Sequence, residues 1–132
     1  MIFKLGNKFE ERFIITDEIY NGFIDVFKDK NPLHTNNQFA LDKGFKGQVM
    51  HGNILNGFLS YFIGECLPIK GVIIHSQEIQ FKNAVYLNDE LYFNAEITGI
   101  YDSVNTIEFK YNFKNKDVKI VAKGKIQIGL LI

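Results

Sequence analysis

Residues 52–68 read GNILNGFLSYFIGECLP, and this stretch decides what kind of fold the chain can adopt. At 100° per residue, Leu55, Phe58, Leu59, Phe62 and Cys66 share one face, while Asn53, Asn56, Gly57, Ser60 and Gly64 fall opposite. The pattern predicts an amphipathic main helix from Gly52 to Leu67, stopped by Pro68. An interior glycine costs about 1 kcal/mol against alanine in a helix. Two on one face predict that sheet or ligand approaches the backbone closely there.

Downstream of Gly71 the period changes from helical to two. Leu91, Phe93, Ala95 and Ile97 alternate with Tyr92, Asn94, Glu96 and Thr98; Ile107, Phe109, Tyr111 and Phe113 alternate with Glu108, Lys110, Asn112 and Lys114. Val118, Ile120, Ala122 and Ile126 continue the rhythm toward the end of the sequence. Strands with one buried and one wet face belong to an antiparallel sheet. Turn chemistry at Asn88-Asp89, Asp102-Ser103 and Asn115-Lys116-Asp117 separates them. One long apolar helix packed on a curved antiparallel sheet is an α+β layer fold. The 132 residues fit a single domain, 1–132.

Upstream, Thr16 can N-cap a helix to about Phe27, with Asp17 and Glu18 in its first turn and Ile19, Phe23 and Phe27 on one face. Asn31 precedes Pro32, which pushes it out of helical conformation. Thr35 and Gln38 have capping-box spacing for a second helix, with Gly44 as its C-cap. Asp29 to His34 is therefore expected as a tight loop between two helices.

Composition narrows the function classes. Hydrophobic residues are 46% of the chain, with thirteen Phe, six Tyr and no Trp, which predicts an aromatic interior or a greasy slot. Fifteen basic and fifteen acidic residues cancel, which argues against a nucleic-acid partner. The run Ile54 to Leu67 is too short, and too interrupted by Asn56, Ser60 and Glu65, to span a membrane. The single Cys66 reads as a buried, reduced thiol, and no signal-peptide pattern opens the sequence, so a cytoplasmic protein is expected.

The chemistry-bearing stretch is Asp29-Lys30-Asn31-Pro32-Leu33-His34, with His51-Gly52 at the start of the main helix. A carboxylate and an imidazole on a short, Pro-stiffened loop can hold one water between them and move its proton. The plainer alternative is that Asp29 caps backbone amides and His34 packs at a helix entry. Gly52 places free amides and the positive dipole end where an oxyanion or carbonyl could sit; it could equally serve the turn alone.

The run DKNPLHTNNQFALDKGFKGQVMHGNILNGFLSYFIGECLP (residues 29–68) resembles the core of the MaoC-like, (R)-specific enoyl-CoA hydratases, and IQFKNAVYLNDELYFNAEI (79–97) continues the likeness more weakly. The resemblance implies a hot-dog fold, a homodimer and an acyl-thioester substrate, carried by coenzyme A or an acyl carrier protein, with no separate cofactor. It implies that Asp29 and His34 activate water, that the Gly52 amide polarises the thioester carbonyl, and that Ser60 lines the site; Asn31 and Asn53, beside these groups in the sequence, are expected to contact substrate as well. Ser60 could instead be a small packing residue beside Gly57 and Gly64. Two positions depart from the pattern: Phe27-Lys28 stand where a small residue and Gly are usual, and Asn53 stands where an apolar residue is usual. With Phe58, Tyr61 and Phe62 nearby, the second departure suggests a short or polar acyl group.

The reading is thus a hydratase or dehydratase, against two rivals. A hot-dog thioesterase would use Glu65, which lies about 140° around the helix from Ser60. A non-catalytic acyl-thioester binding protein would need neither Asp29 nor His34. His34, His51, His75 and Cys66 show no zinc spacing, so no metal is expected. His51 is expected to shape the turn before Gly52, and His75 to be an ordinary strand residue. An edge strand rich in Val and Ile would itself invite pairing with a second copy.

Overall fold

The computed structural model describes residues 2–132. Five strands, β1 (Lys8–Ile14), β2 (Val72–Phe81), β3 (Glu90–Tyr101), β4 (Thr106–Lys114) and β5 (Ile120–Leu130), form an antiparallel sheet in the order β1-β3-β4-β5-β2. The period of two places Leu91, Phe93, Ala95 and Ile97 of β3, and Ile107, Phe109, Tyr111 and Phe113 of β4, on one buried face. Their register sets Phe93 opposite Phe113, Ala95 opposite Tyr111 and Ile97 opposite Phe109.

Four α-helical segments precede β2: α1 (Asp17–Phe27), α2 (Pro32–Thr35), α3 (Asn37–Asp42) and α4 (Asn53–Tyr61). The apolar side of α4 seals the sheet. Phe58 stacks on Phe13 with ring centres 4.5 Å apart, and the fully buried Phe62 lies 4.8 Å from Phe93 and 5.7 Å from Phe109. Burying an aromatic side chain of this size contributes roughly 1.5–3 kcal/mol. The aromatic interior is therefore the core itself.

Several sequence expectations are corrected. β1 carries no clear strand signal in its sequence, KFEERFI, which is charge-rich and sets Glu11 between Phe9 and Phe13. Glu11 reaches Cys66, whose half-buried thiol is pushed up to about 11 by burial first and by Glu11 second. The main helix keeps α geometry only to Tyr61; Phe62–Cys66 widen into a π-helical turn before Leu67 turns extended. The second helix is capped by Asn36, whose Oδ1 accepts from Phe39 N–H at 3.0 Å, while the Thr35 hydroxyl donates back to the Lys30 and Asn31 carbonyls. Val118 belongs to a turn, at φ 61°, and β5 begins two residues later. Phe27 is exposed beside Phe23.

On the main helix the sheet half of the glycine expectation is corrected and the ligand half stays open. A Cβ at Gly57 or at Gly64 would meet nothing within 4 Å. Close approach occurs instead in β5. The buried Tyr111 of β4 reaches across Gly124 and donates its hydroxyl to the Glu78 carbonyl of β2, 2.7 Å away. Any side chain on Gly124 would collide with both groups, and burial pushes the Tyr111 phenol up. His75, beside the irregularity in the β2–β5 register, lays its ring over Gly129. Among the described residues, no helix is long and apolar enough to cross a membrane.

Candidate active site

The site begins where α1 stops. Thr16 Oγ1 caps its start by accepting from Ile19 N–H, and Lys28 ends it in the left-handed region at φ 64°. A left-handed residue at a helix end is usually Gly, so the departure noted at Lys28 falls on a position whose backbone favours glycine. The reversal delivers Asp29 to the surface. Its Oδ1 accepts from Asn31 N–H at 3.1 Å. Asn31 in turn accepts from Leu33 N–H through its own Oδ1 at 3.0 Å, and Pro32 opens α2. His34 therefore rides on a short helical turn rather than on a plain loop.

His34 is held from three sides. Its Nδ1–H donates to the Val49 carbonyl at 2.7 Å, and its own carbonyl accepts from the Tyr20 hydroxyl at 2.6 Å. Val49 N–H donates to the Leu33 carbonyl at 3.0 Å, tying α2 to the approach of α4. The bond to a carbonyl assigns the proton of the neutral ring to Nδ1 and leaves Nε2 as an acceptor.

Asp29 and His34 are thus each anchored through one atom and present the other. Asp29 Oδ2 and His34 Nε2 stand 4.0 Å apart, with side-chain exposures of 49% and 15%. That gap is too wide for a direct hydrogen bond. A water about 2.8 Å from each would subtend roughly 90° between them, a workable angle for donating both of its hydrogens. The capping alternative describes Oδ1 correctly and leaves Oδ2 unaccounted for.

His51 joins this group, which the spacing in the sequence did not show. It is 2% exposed, its Nε2–H donates to the Asp29 carbonyl at 2.8 Å, and its ring lies against His34 with centres 4.0 Å apart. Donor atoms of Asp29, His34 and His51 all come within 4.8 Å of one another. Two imidazoles on one tetrahedral ion would hold their ring centres roughly 5 Å apart, given metal–nitrogen bonds of about 2 Å. The closer stack fits packing better than ligation.

Gly52 N-caps α4. The carbonyl of His51 accepts from Ile54 N–H at 3.1 Å, pointing into the helix. In a trans peptide the following N–H points the opposite way, so Gly52 N–H faces out of the helix start. It has no backbone or side-chain acceptor among the described residues. A Cβ on Gly52 would press into the Phe81 ring at 2.8 Å.

Two hollows flank these groups. One, of about 300 Å³, is lined by His34, Gly52, Leu33, Leu55 and Phe81. The other is a groove of about 830 Å³ between α1 and α4, where Asp29 meets Ile19, Phe23, Val26, Asn53 and Gly57. The pair thus contributes one member to each. Of the other expected residues, Asn31 uses its side chain in capping, Asn53 lines the groove while accepting from Asn56, and the exposed Ser60 lines neither hollow. Glu65 lies past the far end of α4, paired with Lys70 at 2.8 Å, and that hydrogen bond and charge hold its carboxyl below the usual range.

A family model described as "MaoC like domain" matches residues 5–118. A mitochondrial 3-hydroxyacyl-(acyl-carrier-protein) dehydratase of Arabidopsis thaliana is 25% identical over 127 residues, covering 94% of this chain and 75% of its own. An (R)-specific enoyl-CoA hydratase of Aeromonas caviae is 35% identical over 78 residues, 59% of this chain and 58% of that protein. The alignment therefore spans little more than half of that hydratase. In three dimensions the (R)-hydratase from A. caviae involved in PHA biosynthesis matches with a TM-score of 0.89 at 24% identity, covering 98% of both chains. These relatives carry the names of hydro-lyases.

Proposed function

The chain belongs to the MaoC-like domain family and has the hot-dog fold, and from that premise we propose that it is a hydro-lyase acting on an acyl thioester. It adds water to a trans-2-enoyl thioester to give the (R)-3-hydroxyacyl thioester, or runs the reverse. The observation that carries this reading is the 4.0 Å gap between Asp29 Oδ2 and His34 Nε2, with each group anchored through its other atom.

In the proposed reaction the thioester carbonyl accepts from Gly52 N–H, which draws electron density from the β-carbon. Water donates one hydrogen bond to Asp29 Oδ2 and the other to His34 Nε2. Its oxygen bonds to the β-carbon as His34 takes the second proton, the double-bond electrons pass toward the carbonyl, and the Gly52 amide steadies the enolate oxygen. His34 Nε2 then gives that proton to the α-carbon while the hydrogen bonded to Asp29 stays on the new hydroxyl, so one water is added and nothing is oxidised. No separate cofactor or metal takes part in this scheme; coenzyme A or an acyl carrier protein enters only as the thioester's carrier. The apolar groove beside Asp29 would take the acyl chain, with Asn53 and Gly57 along its α4 side. In the same reading two copies pair along the free edge of β2, where Ile73 and Phe81 are half exposed. The cytoplasm is the proposed location.

The test follows enoyl-thioester absorbance with crotonyl-CoA for the wild type, Asp29→Asn and His34→Ala. Turnover lost in both variants is expected. Release of free thiol that Glu65→Gln stops would replace the reading with a thioesterase. Saturable binding without turnover of any enoyl thioester would make the chain a binding protein.

A further inference from the structure

We propose that His51 is the positioning residue of the site: a single buried imidazole that sets the Asp29 loop, seats the His34 ring and precedes the Gly52 amide. The proposal rests on the hydratase reading above and adds to it a residue that touches neither water nor substrate.

Three contacts made by His51 converge on the three proposed reacting groups. Its Nε2–H donates to the backbone carbonyl of Asp29, 22 residues earlier, at 2.8 Å. That bond fixes the peptide from which the Asp29 carboxylate projects. Its ring lies 4.0 Å from His34, tilted by 32°, and 4.6 Å from Phe23, tilted by 34°. The His34 imidazole is thus held by a flat neighbour as well as by its Nδ1 bond to Val49. The carbonyl of His51 is half of the peptide group that carries the Gly52 N–H, and its bond from Ile54 N–H turns that amide outward.

A role in core packing alone explains these contacts poorly. Besides the Tyr111 phenol, His51 and Thr106 are the buried polar side chains among the described residues. His51 Nδ1 has no hydrogen-bond partner there. A buried acceptor left unpaired carries a desolvation penalty that an apolar ring of similar size would avoid. Phenylalanine would fill the volume and keep the stack on Phe23. What it could not supply is the N–H that holds the Asp29 carbonyl.

The test compares His51→Phe, which keeps a ring and loses the donor, with His51→Gln, which keeps a donor and loses the ring. Thermal melting establishes that both are folded. With crotonyl-CoA, His51→Phe is expected to lower kcat by about 10–100-fold with KM within about twofold, because misplaced reacting groups act on the chemical step. His51→Gln is expected to recover about tenfold of that loss by restoring the bond to Asp29. A crystal structure of His51→Phe reads position independently of turnover. An Asp29 Oδ2 to His34 Nε2 separation changed from 4.0 Å, or a carboxylate without a single place, is expected. A folded His51→Phe with wild-type kcat, or with the pair at its original separation, overturns the proposal. If the wild type itself does not hydrate enoyl thioesters while the variant still loses the pair's geometry, the hydratase reading falls and the positioning role stands.

Discussion

The two ends of the main helix carry the same classes of group in opposite states. At the N-terminal end, the carboxylate of Asp29 and the imidazole of His34 are each tied through one atom and face each other across 4.0 Å with the other. At the far end, within the π-helical turn, the exposed Glu65 is closed off by a 2.8 Å bond to Lys70. The first end has acceptors and an N–H left over; the second has neutralised what it carries. On the proposed reading, reactivity follows from unpaired atoms held in place, and the mere presence of a carboxylate on the helix says little.

The strongest way to break that contrast is to exchange the charges at each end. Asp29→Asn or His34→Ala should lower kcat by about 10²–10⁴-fold, while Glu65→Gln should leave turnover at the wild-type level. Equal losses at both ends would dissolve the distinction. Next comes the free amide. Gly52 has φ −57° and ψ −33°, which proline can adopt, and its N–H bonds to nothing among the described residues. Gly52→Pro should fall about 10²–10³-fold in kcat below Gly52→Ala; the alanine variant controls for the contact with Phe81.

Smaller effects sharpen the picture. Gly57 lines the groove between α1 and α4, and a Cβ there would meet nothing within 4 Å, so Gly57→Leu places new bulk in the groove. It should reduce kcat/KM for octenoyl-CoA about tenfold more than for crotonyl-CoA, and uniform loss would place the acyl chain elsewhere. Lys28→Gly removes a side chain from a left-handed position and should stabilise by about 0.5–1 kcal/mol, visible as a rise of a few degrees in Tm. The smallest effect belongs to Glu65. Its carboxyl titrates below the ordinary glutamate value because of Lys70, so the pair's contribution is present above that ordinary value and disappears as pH falls through the lowered one. Exposure makes it slight, and Glu65→Gln should hardly alter the acid limb of a melting-temperature profile.

The parts of the fold that could be read in advance are those where one rule acts alone. Alternation in β3 and β4 is uninterrupted, and the buried residues are the expected ones. β1 escaped because Glu11 occupies a place the alternation reserves for an apolar residue, and its partner Cys66 is 55 residues away in sequence. The π-helical turn at Phe62–Cys66 has no marker in residue type. At the site, Asp29, His34 and Gly52 stood out through their local chemistry. His51 did not, because what distinguishes it is burial against Asp29 and His34, a property of the assembled chain.

The reach of Tyr111 over Gly124 to the Glu78 carbonyl bears on how the sheet comes apart. β2 is an outer strand, joined within this chain to β5 alone, and outer strands ordinarily fray first. A phenol anchored in β4 skips the intervening strand and holds β2 directly, like a rivet through two plates into a third. Peeling β2 from β5 must also pull that hydroxyl out of its buried seat. The amide protons flanking Glu78 should then exchange with solvent on the timescale of the whole sheet, and Tyr111→Phe should let them exchange early while the β3–β4 ladder stays closed.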